Sequence, residues 1–172
     1  MSKRNVSVLE TNLFNYFVDR YEDCQDLRIF KTDDEIYIGN SFVCIRLNKF
    51  TFETIKDDIY LKWLMDHAKD YTGDGYLKAF DNCKYPGKQL DVTLKDCSLF
   101  LLDNNAVTMV NEKYTKLLPK EYAELKGSKH GIKIINAYYA LFVFGIDNGE
   151  NNIVINHIGR LINSLDNKGA KP

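Results

Sequence analysis

Three lysines in the second half of the chain have the spacing of a single helical stripe. Lys113, Lys116 and Lys120 are three and four residues apart, so a helix there would present them on one side. Such a row can contact phosphates, and the nearby Tyr114 and Tyr122 could stack on bases. The alternative is an ordinary solvated helix face. The predicted nucleic-acid-binding residues are Lys113, Lys116, Lys120, Lys126 and Lys129.

Acidic residues dominate the first half of the chain, although the whole chain carries a formal charge of −1. Residues 1–75 hold 10 basic and 14 acidic side chains, and residues 76–172 hold 13 and 10. A dense group of carboxylates can imitate DNA phosphates and occupy the basic groove of a nuclease or polymerase. A solvated surface rich in capping residues is the alternative. The predicted partner-binding residues are Asp19, Glu22, Asp23, Asp26, Asp33, Asp34 and Glu35.

No catalytic or metal-binding motif is present in the sequence. The four cysteines include no CxxC pair, and the three histidines lie far apart. Acid-x-Lys triplets, which some nucleases use to hold magnesium, occur at residues 124–126 and 166–168, outside the predicted core strands. Walker loops, GxSxG elbows and GxGxxG fingerprints are missing. We therefore predict a protein without enzymatic activity, catalytic residues, metal or cofactor. A small hydrolase or nuclease whose site forms only in three dimensions is the competing class.

Length and composition place the chain among ordinary globular proteins. Its 172 residues are 45% hydrophobic and 27% charged, which fits one folded domain, predicted at 1–163, with a flexible tail at 164–172. Near-neutral charge excludes a histone-like polycation. The first residues do not predict a signal peptide, and the longest nearly apolar run, residues 137–146, is shorter than the roughly 20 residues of a spanning helix. These features predict a cytoplasmic protein that does not bind membranes.

The hydrophobic pattern predicts the elements that must position these side chains. Ser7 and Glu10 form a capping box before a helix at 8–22, which is followed by strands at 27–30, 35–38 and 41–47. A helix at 51–69 and a long surface connection at 70–89 come next. Further strands are predicted at 90–94, 98–102 and 106–110. Asn111 caps a helix that breaks at Pro119 and restarts at 121–125, before strands at 132–135, 139–146 and 152–156.

The order of these elements indicates an α+β fold. Helix-plus-three-strand units at 8–47 and 111–156 predict a duplicated arrangement in which helices pack on one face of antiparallel sheets. The two units share this pattern but no obvious residue identity.

Two segments resemble small phage proteins related to DNA sliding clamps. Residues 35–47, EIYIGNSFVCIRL, are similar to the strand, glycine turn and strand that open those proteins, and residues 107–114, VTMVNEKY, to a strand that runs into a helix. The resemblance implies a duplicated scaffold with helices inside and sheets outside. A clamp ring needs more domains than 172 residues supply, so it further implies assembly of several copies. Clamp inner helices are basic, whereas helix 8–22 carries Asp19 and Glu22 beside a single Arg20.

Together these features predict a non-enzymatic, phage-type interaction protein resembling a sliding-clamp domain. Its expected partner in DNA metabolism is a protein, such as a nuclease or a replication protein, or a nucleic acid. A homo-oligomer is compatible with the resemblance. The alternative within the binding class is an anti-CRISPR-like inhibitor of a host defence nuclease, which would act through the acidic residues.

Overall fold

The fold consists of groups of consecutive strands separated by helices. The computed structural model describes residues 7–146, 157, 159–162 and 164–165. Its helices with defined ends are α1 (Thr11–Cys24), α2 (Lys49–Ile55), α3 (Ile59–His67), α4 (Gly75–Asn82) and α5 (Glu112–Thr115). Residues 157, 159–162 and 164–165 are also helical, so the first two residues of the predicted flexible tail belong to a helix. Its strands are β1 (Arg28–Lys31), β2 (Glu35–Gly39), β3 (Val43–Asn48), β4 (Lys69–Asp70), β5 (Tyr85–Leu94), β6 (Cys97–Leu102), β7 (Val107–Asn111), β8 (Glu124–Ser128), β9 (Gly131–Ile135) and β10 (Ala140–Phe144).

All ten strands belong to one sheet, in the order β4-β1-β2-β3-β10-β9-β8-β5-β6-β7. The neighbours pair antiparallel, except β1 and β4, which are parallel. Two meanders, β1–β3 and β8–β10, meet where β3 pairs with β10. The predicted α+β class is therefore confirmed. None of the helices among the described residues is both long and apolar enough to cross a bilayer.

Helices cover both faces of the sheet. On the front face, Leu13 and Phe17 of α1 pack against strand residues such as Ile45, together with side chains of α2, α3 and α5. On the back face, Phe80 of α4 packs against Tyr37 and Phe142. The prediction that helices pack on one face is wrong for α4. The reason is that β2, β3 and β10 carry buried side chains on both faces of the sheet, so that both faces need a covering layer.

Helix α4 lies where a long surface connection was predicted. Tyr76, Ala79, Phe80 and Cys83 follow one another at helical spacing and are all buried. The pattern is hard to recognise because the helix has only eight residues and follows a glycine-rich segment. The prediction for residues 70–89 is therefore wrong, and it concealed both α4 and the start of β5.

The helices of the first half follow the prediction with shifted ends. Helix α1 is confirmed, but the capping box is wrong: Ser7 donates a hydrogen bond to the carboxylate of Asp58 at 2.8 Å, and no side chain caps α1. Asp58 caps α3 by accepting hydrogen bonds from two backbone N–H groups, both at 2.9 Å. The predicted helix at 51–69 is thus divided into α2 and α3.

The second half agrees with the prediction in its strands and differs in its helix. Strands β5, β6, β7, β9 and β10 overlap predicted strands, and Asn111 caps α5 by accepting from the N–H of Lys113 at 3.0 Å. Helix α5 ends at Thr115, and the predicted restart at 121–125 is wrong because strand β8 begins at Glu124. The strand predicted at 152–156 and residues 166–172 of the predicted tail lie outside the described residues.

Candidate nucleic-acid interface

The turn between β2 and β3 is fixed by backbone contacts. A side chain at Gly39 would place its Cβ 2.3 Å from the carbonyl oxygen of Val43 and 2.6 Å from the Cα of Cys44, so the two strands approach too closely for any other residue. Asn40 then donates its N–H to the same oxygen at 2.9 Å. Its side-chain oxygen accepts from the N–H groups of Phe42 at 2.9 Å and Val43 at 3.0 Å. This network holds the Phe42 backbone in place.

Asn40 also connects the turn to helices on both faces of the sheet. Its side-chain amide donates to the hydroxyl of Tyr16 on α1 at 3.0 Å, and its carbonyl accepts from the hydroxyl of Tyr76 on α4 at 3.2 Å. Asn40 is only 2% exposed, so each of these bonds replaces a contact with water. Burial raises the pKa of both tyrosines well above 10, which keeps the two hydroxyls neutral.

Two cations lie against the ring of Phe42. The guanidinium carbon of Arg20 is 5.2 Å from the ring centroid, and the ammonium nitrogen of Lys113 is 5.9 Å from it. Lys113 also lies 4.8 Å from the ring of Tyr114, which stacks on Phe42 at 5.6 Å, and Tyr16 meets Tyr114 edge-on at 5.8 Å. Cation–π contacts of this kind fix the charged groups in place. We call Tyr16, Arg20, Phe42, Lys113 and Tyr114 the cation–aromatic cluster.

Neither cation of this cluster is held by a salt bridge to a described residue, although Asp19, Glu22 and Asp23 lie on the same helix as Arg20. Neither Arg20 nor Lys113 forms an ion pair with any residue that the structure describes. The Nε atom of Arg20 is buried and has no hydrogen-bond partner among the same residues. A half-buried guanidinium without a carboxylate is unfavourable by itself and attracts an anion. The cluster therefore has the chemistry of an anion-binding surface with an aromatic floor.

The structure divides the predicted lysine stripe. Lys113 belongs to the cluster and the exposed Lys116 follows α5 directly, but Lys120 lies beyond the end of the helix and lines a groove with Val8 and Glu10. A single helical stripe is therefore wrong, because α5 is only four residues long. Tyr114 is only 5% exposed, and its ring packs against Phe42 and Tyr16. It is therefore not available to stack on bases.

The two remaining lysines lie elsewhere. Lys126 is on β8, where the neighbouring Leu125 faces the front core. Because side chains alternate along a strand, Lys126 points to the back face, and there it pairs with Glu124. Lys129 is exposed in the turn between β8 and β9. The acid-x-Lys triplet at 124–126 thus lies on a strand, contrary to the prediction. Within the described residues no group of three or more acids, histidines or cysteines could hold a metal ion.

The predicted acidic residues form two groups at opposite ends of β1. Asp19, Glu22 and Asp23 are exposed on α1, and Asp26 follows it half-buried. Asp33 and Asp34 are exposed in the turn between β1 and β2, and Glu35 is the first residue of β2. Residues 26 and 33 are seven positions apart along an extended chain, or about 20 Å. The structure therefore does not bring these seven acids together as one surface.

A second charged cluster, on the back face, was missed by sequence reasoning. Arg46 lies 5.0 Å from the Phe80 ring centroid and 3.6 Å from the carboxylate of Glu35. Lys133 donates to the backbone carbonyl of Phe80 at 3.1 Å, and burial, helped by the charge of Arg46, lowers the pKa of Lys133. We call these residues the back-face charge cluster: Glu35, Arg46, Glu124, Lys126 and Lys133. The only sequence signal for this cluster is the alternation of side chains along β3 and β9, which places Arg46 and Lys133 opposite the core-facing residues of their strands.

No family model matches this chain, and neither a curated protein nor a solved structure resembles it significantly.

Proposed function

We propose that this chain is a non-enzymatic interaction protein that binds single-stranded nucleic acid through the cation–aromatic cluster. One observation carries the proposal: Arg20 and Lys113, both without an ion-pair partner among the described residues, lie within 6 Å of the same Phe42 ring centroid. Single-strand binders combine cations that follow the phosphates with aromatic rings against which bases stack. Lys116, exposed one turn beyond Lys113, extends the cationic surface.

A single strand fits this surface better than a duplex. Duplex readers insert a helix or a β-ribbon into the major groove. Helix α5 has four residues, which is about one turn, and the other cation belongs to a different helix, α1. The cluster offers positive charges on two elements, held against the partly exposed ring of Phe42, which suits a flexible strand whose phosphates can adjust to them.

The clamp-like scaffold is part of the proposal. A helix followed by three antiparallel strands occurs three times, as α1-β1-β2-β3, α4-β5-β6-β7 and α5-β8-β9-β10, and the third strands of the first and last of these units pair. The β3–β10 pairing, which joins the first and last units, is the support for a duplicated unit of the sliding-clamp type in a protein of phage DNA metabolism. Assembly of several copies and contact with a replication protein belong to the same proposal. Light scattering tests assembly: a multimer supports it, and a monomer at all concentrations contradicts it.

The binding experiment is a fluorescence anisotropy titration with a labelled oligothymidylate of about 20 nucleotides. The double variant Arg20→Ala/Lys113→Ala is expected to bind at least about tenfold more weakly than the wild type, because two phosphate contacts are lost. The matched control is Lys56→Ala/Lys62→Ala, which removes the same charge from lysines that already pair with Glu53 and Asp57. Equal affinities for the two double variants would contradict the proposal.

The inhibitor alternative depends on the acidic residues. Its strongest support is the group on α1, where Asp19, Glu22 and Asp23 are exposed close together. Such a protein would bind a basic nuclease and no DNA. Substituting these three acids with asparagine and glutamine would then abolish capture of the nuclease, whereas under the main proposal the change strengthens binding to DNA by removing repulsion next to Arg20.

A further inference from the structure

A cavity lies directly behind the turn that holds the cation–aromatic cluster. Its volume is about 420 Å³, within the range of small-molecule sites. It is located where α4 and the segment before it approach the β2–β3 turn and the end of β10. The residues that define its chemistry are Asp26, Arg28, Asn40, Tyr71, Tyr76 and Phe144.

Aromatic side chains form much of this cavity. The rings of Tyr71 and Tyr76 are 5.3 Å apart and inclined by 48°. Phe144 is fixed by an edge-on contact with Phe142, at 4.6 Å between ring centroids. Tyr76 is buried and Tyr71 is partly exposed, so the former belongs to the floor and the latter can close on a ligand from the side. Flat walls of this kind select a flat ligand.

Two side chains of opposite charge in the cavity wall, Asp26 and Arg28, can select the ligand by hydrogen bonding. Asp26 supplies a carboxylate that can accept hydrogen bonds, and Arg28 supplies a guanidinium that can donate them. The two side chains form no ion pair with each other or with another described residue. The edge of a nucleobase carries both N–H donors and oxygen or nitrogen acceptors, and therefore matches this pair.

Asn40 connects the cavity to the cation–aromatic cluster. It lines the cavity, its carbonyl accepts from Tyr76, and its side chain binds both Tyr16 and the backbone of Phe42. The β2–β3 turn therefore lies between the cavity and the surface on which Arg20 and Lys113 present positive charge. An anionic strand that crosses this turn would place a flat polar ring in the cavity and a phosphate at the cations.

We infer that the cavity receives one unstacked nucleobase of the strand whose phosphates contact Arg20 and Lys113. The inference rests on the proposed function and extends it, because it gives the protein a site for a base as well as for the backbone. A peptide with an aromatic side chain would fill the same volume, but its backbone carries no charge for Arg20 and Lys113, whereas every nucleotide brings a phosphate. These two cations therefore favour the nucleic acid.

The test compares two labelled strands of equal length and charge, one with bases and one built from abasic sugar phosphates. The wild type is expected to bind the strand with bases about tenfold more tightly, because stacking in the cavity is available only to that strand. Tyr71→Ala is expected to reduce this ratio to near one while leaving the affinity for the abasic strand unchanged. Tyr85→Ala, at an exposed tyrosine on β5, is the matched control and keeps the ratio.

The outcomes separate this inference from the proposed function. Equal binding of the two strands by the wild type overturns the base site and leaves the phosphate surface intact. Absence of binding to either strand overturns both. Because Tyr71 packs against α4, Tyr71→Phe serves as a second variant: it keeps the ring and is expected to keep the ratio. A 2-aminopurine base in the bound strand should lose fluorescence with the wild type, and unchanged fluorescence would contradict stacking.

Discussion

The cation–aromatic cluster and the back-face charge cluster use the same contact in different electrostatic settings. Arg20 lies 5.2 Å from the ring of Phe42, and Arg46 lies 5.0 Å from the ring of Phe80. Arg46 has the carboxylate of Glu35 at 3.6 Å, whereas Arg20 has no ion-pair partner among the described residues. The aromatic contact is therefore equivalent, and the presence of a carboxylate distinguishes the two sites.

This difference separates cations that stabilise the fold from cations available to a ligand. Lys126 and Lys133 on the back face are bound to Glu124 and to the carbonyl of Phe80. A ligand phosphate would have to displace these partners, which costs much of the energy that it gains. Lys113 requires no such displacement. Among equally basic residues, the state of pairing indicates which surface can bind an anion.

The largest expected effect concerns the β2–β3 turn, which positions Phe42 of the cation–aromatic cluster. Gly39→Ala places a methyl group against backbone atoms of Val43 and Cys44 that cannot move independently. We expect a loss of about 3 kcal/mol in the free energy of unfolding, measured by urea denaturation. Gly75→Ala is the control, since its Cβ would meet only the Tyr71 hydroxyl, at 3.2 Å. A loss below about 1 kcal/mol for Gly39→Ala would show that the turn is not tightly constrained.

The next effect concerns the residue that links the turn to the helices. Asn40→Leu removes the side-chain acceptor of the partly buried Phe42 N–H and of the buried Val43 N–H, so we expect a loss of about 2 kcal/mol in stability and weaker binding to single-stranded DNA. Asn40→Asp keeps the acceptor for both groups and should lose less. Equal losses for the two variants in thermal or urea unfolding would count against the role of this acceptor.

A smaller effect, dependent on pH, is expected at Tyr16. Tyr16→Phe removes the hydrogen bond to Asn40 and should cost about 1 kcal/mol at pH 7. Burial raises the pKa of Tyr16 in the folded state above the unfolded value of 10, so the unfolded chain loses this proton first and stability falls as pH rises above 10.

The alkaline loss gives the measurement for this variant. Each pH unit above 10 should cost the wild type up to about 1.4 kcal/mol more than Tyr16→Phe, until the folded pKa is reached. Urea unfolding at pH 9 and at pH 11 compares the two proteins. Parallel losses in both would mean that the Tyr16 hydroxyl is not protected by burial.

The smallest effect is expected on the back face. Lys126→Ala breaks a pair with Glu124 that is partly open to solvent, where the loss in stability should not exceed about 0.5 kcal/mol. Binding to single-stranded DNA should remain within about twofold of the wild type, since this lysine is already neutralised. A larger loss of affinity would place the nucleic acid on the back face and reverse the comparison.

Periodicity predicted much of the fold. Leu13 and Phe17 recur at helical spacing, and alternation in residues 43–47 marks β3, so local signals define both elements. Helix α4 and strand β8 were missed for different reasons. The first is short and follows glycines, and the second was assigned to a restarted helix after Pro119. Which strands become neighbours, such as β3 and β10, depends on contacts distant in sequence and leaves no local pattern.

The candidate site could be predicted only in part. Lys113 was identified from its spacing, and Asn111 was correctly assigned as the N-cap of the helix that carries Lys113. Arg20 appeared only as the single cation of an acidic helix, and Phe42 only as part of the strand predicted at 41–47. Their approach depends on how α1 packs across the β2–β3 turn, which no sequence window contains. A signal did exist, however, because Gly39 and Asn40 mark a tight turn immediately before a partly exposed aromatic residue.

The salt dependence of binding tests the central claim most directly. The logarithm of the affinity for a single strand is plotted against the logarithm of salt concentration between about 50 and 200 mM. Arg20→Ala/Lys113→Ala should reduce the slope by about 1.4, as expected for the loss of two phosphate contacts. Lys62→Ala/Lys126→Ala, which removes the same charge from paired lysines, should leave the slope unchanged. Equal slopes for both double variants, or a larger change in the second, would contradict the account.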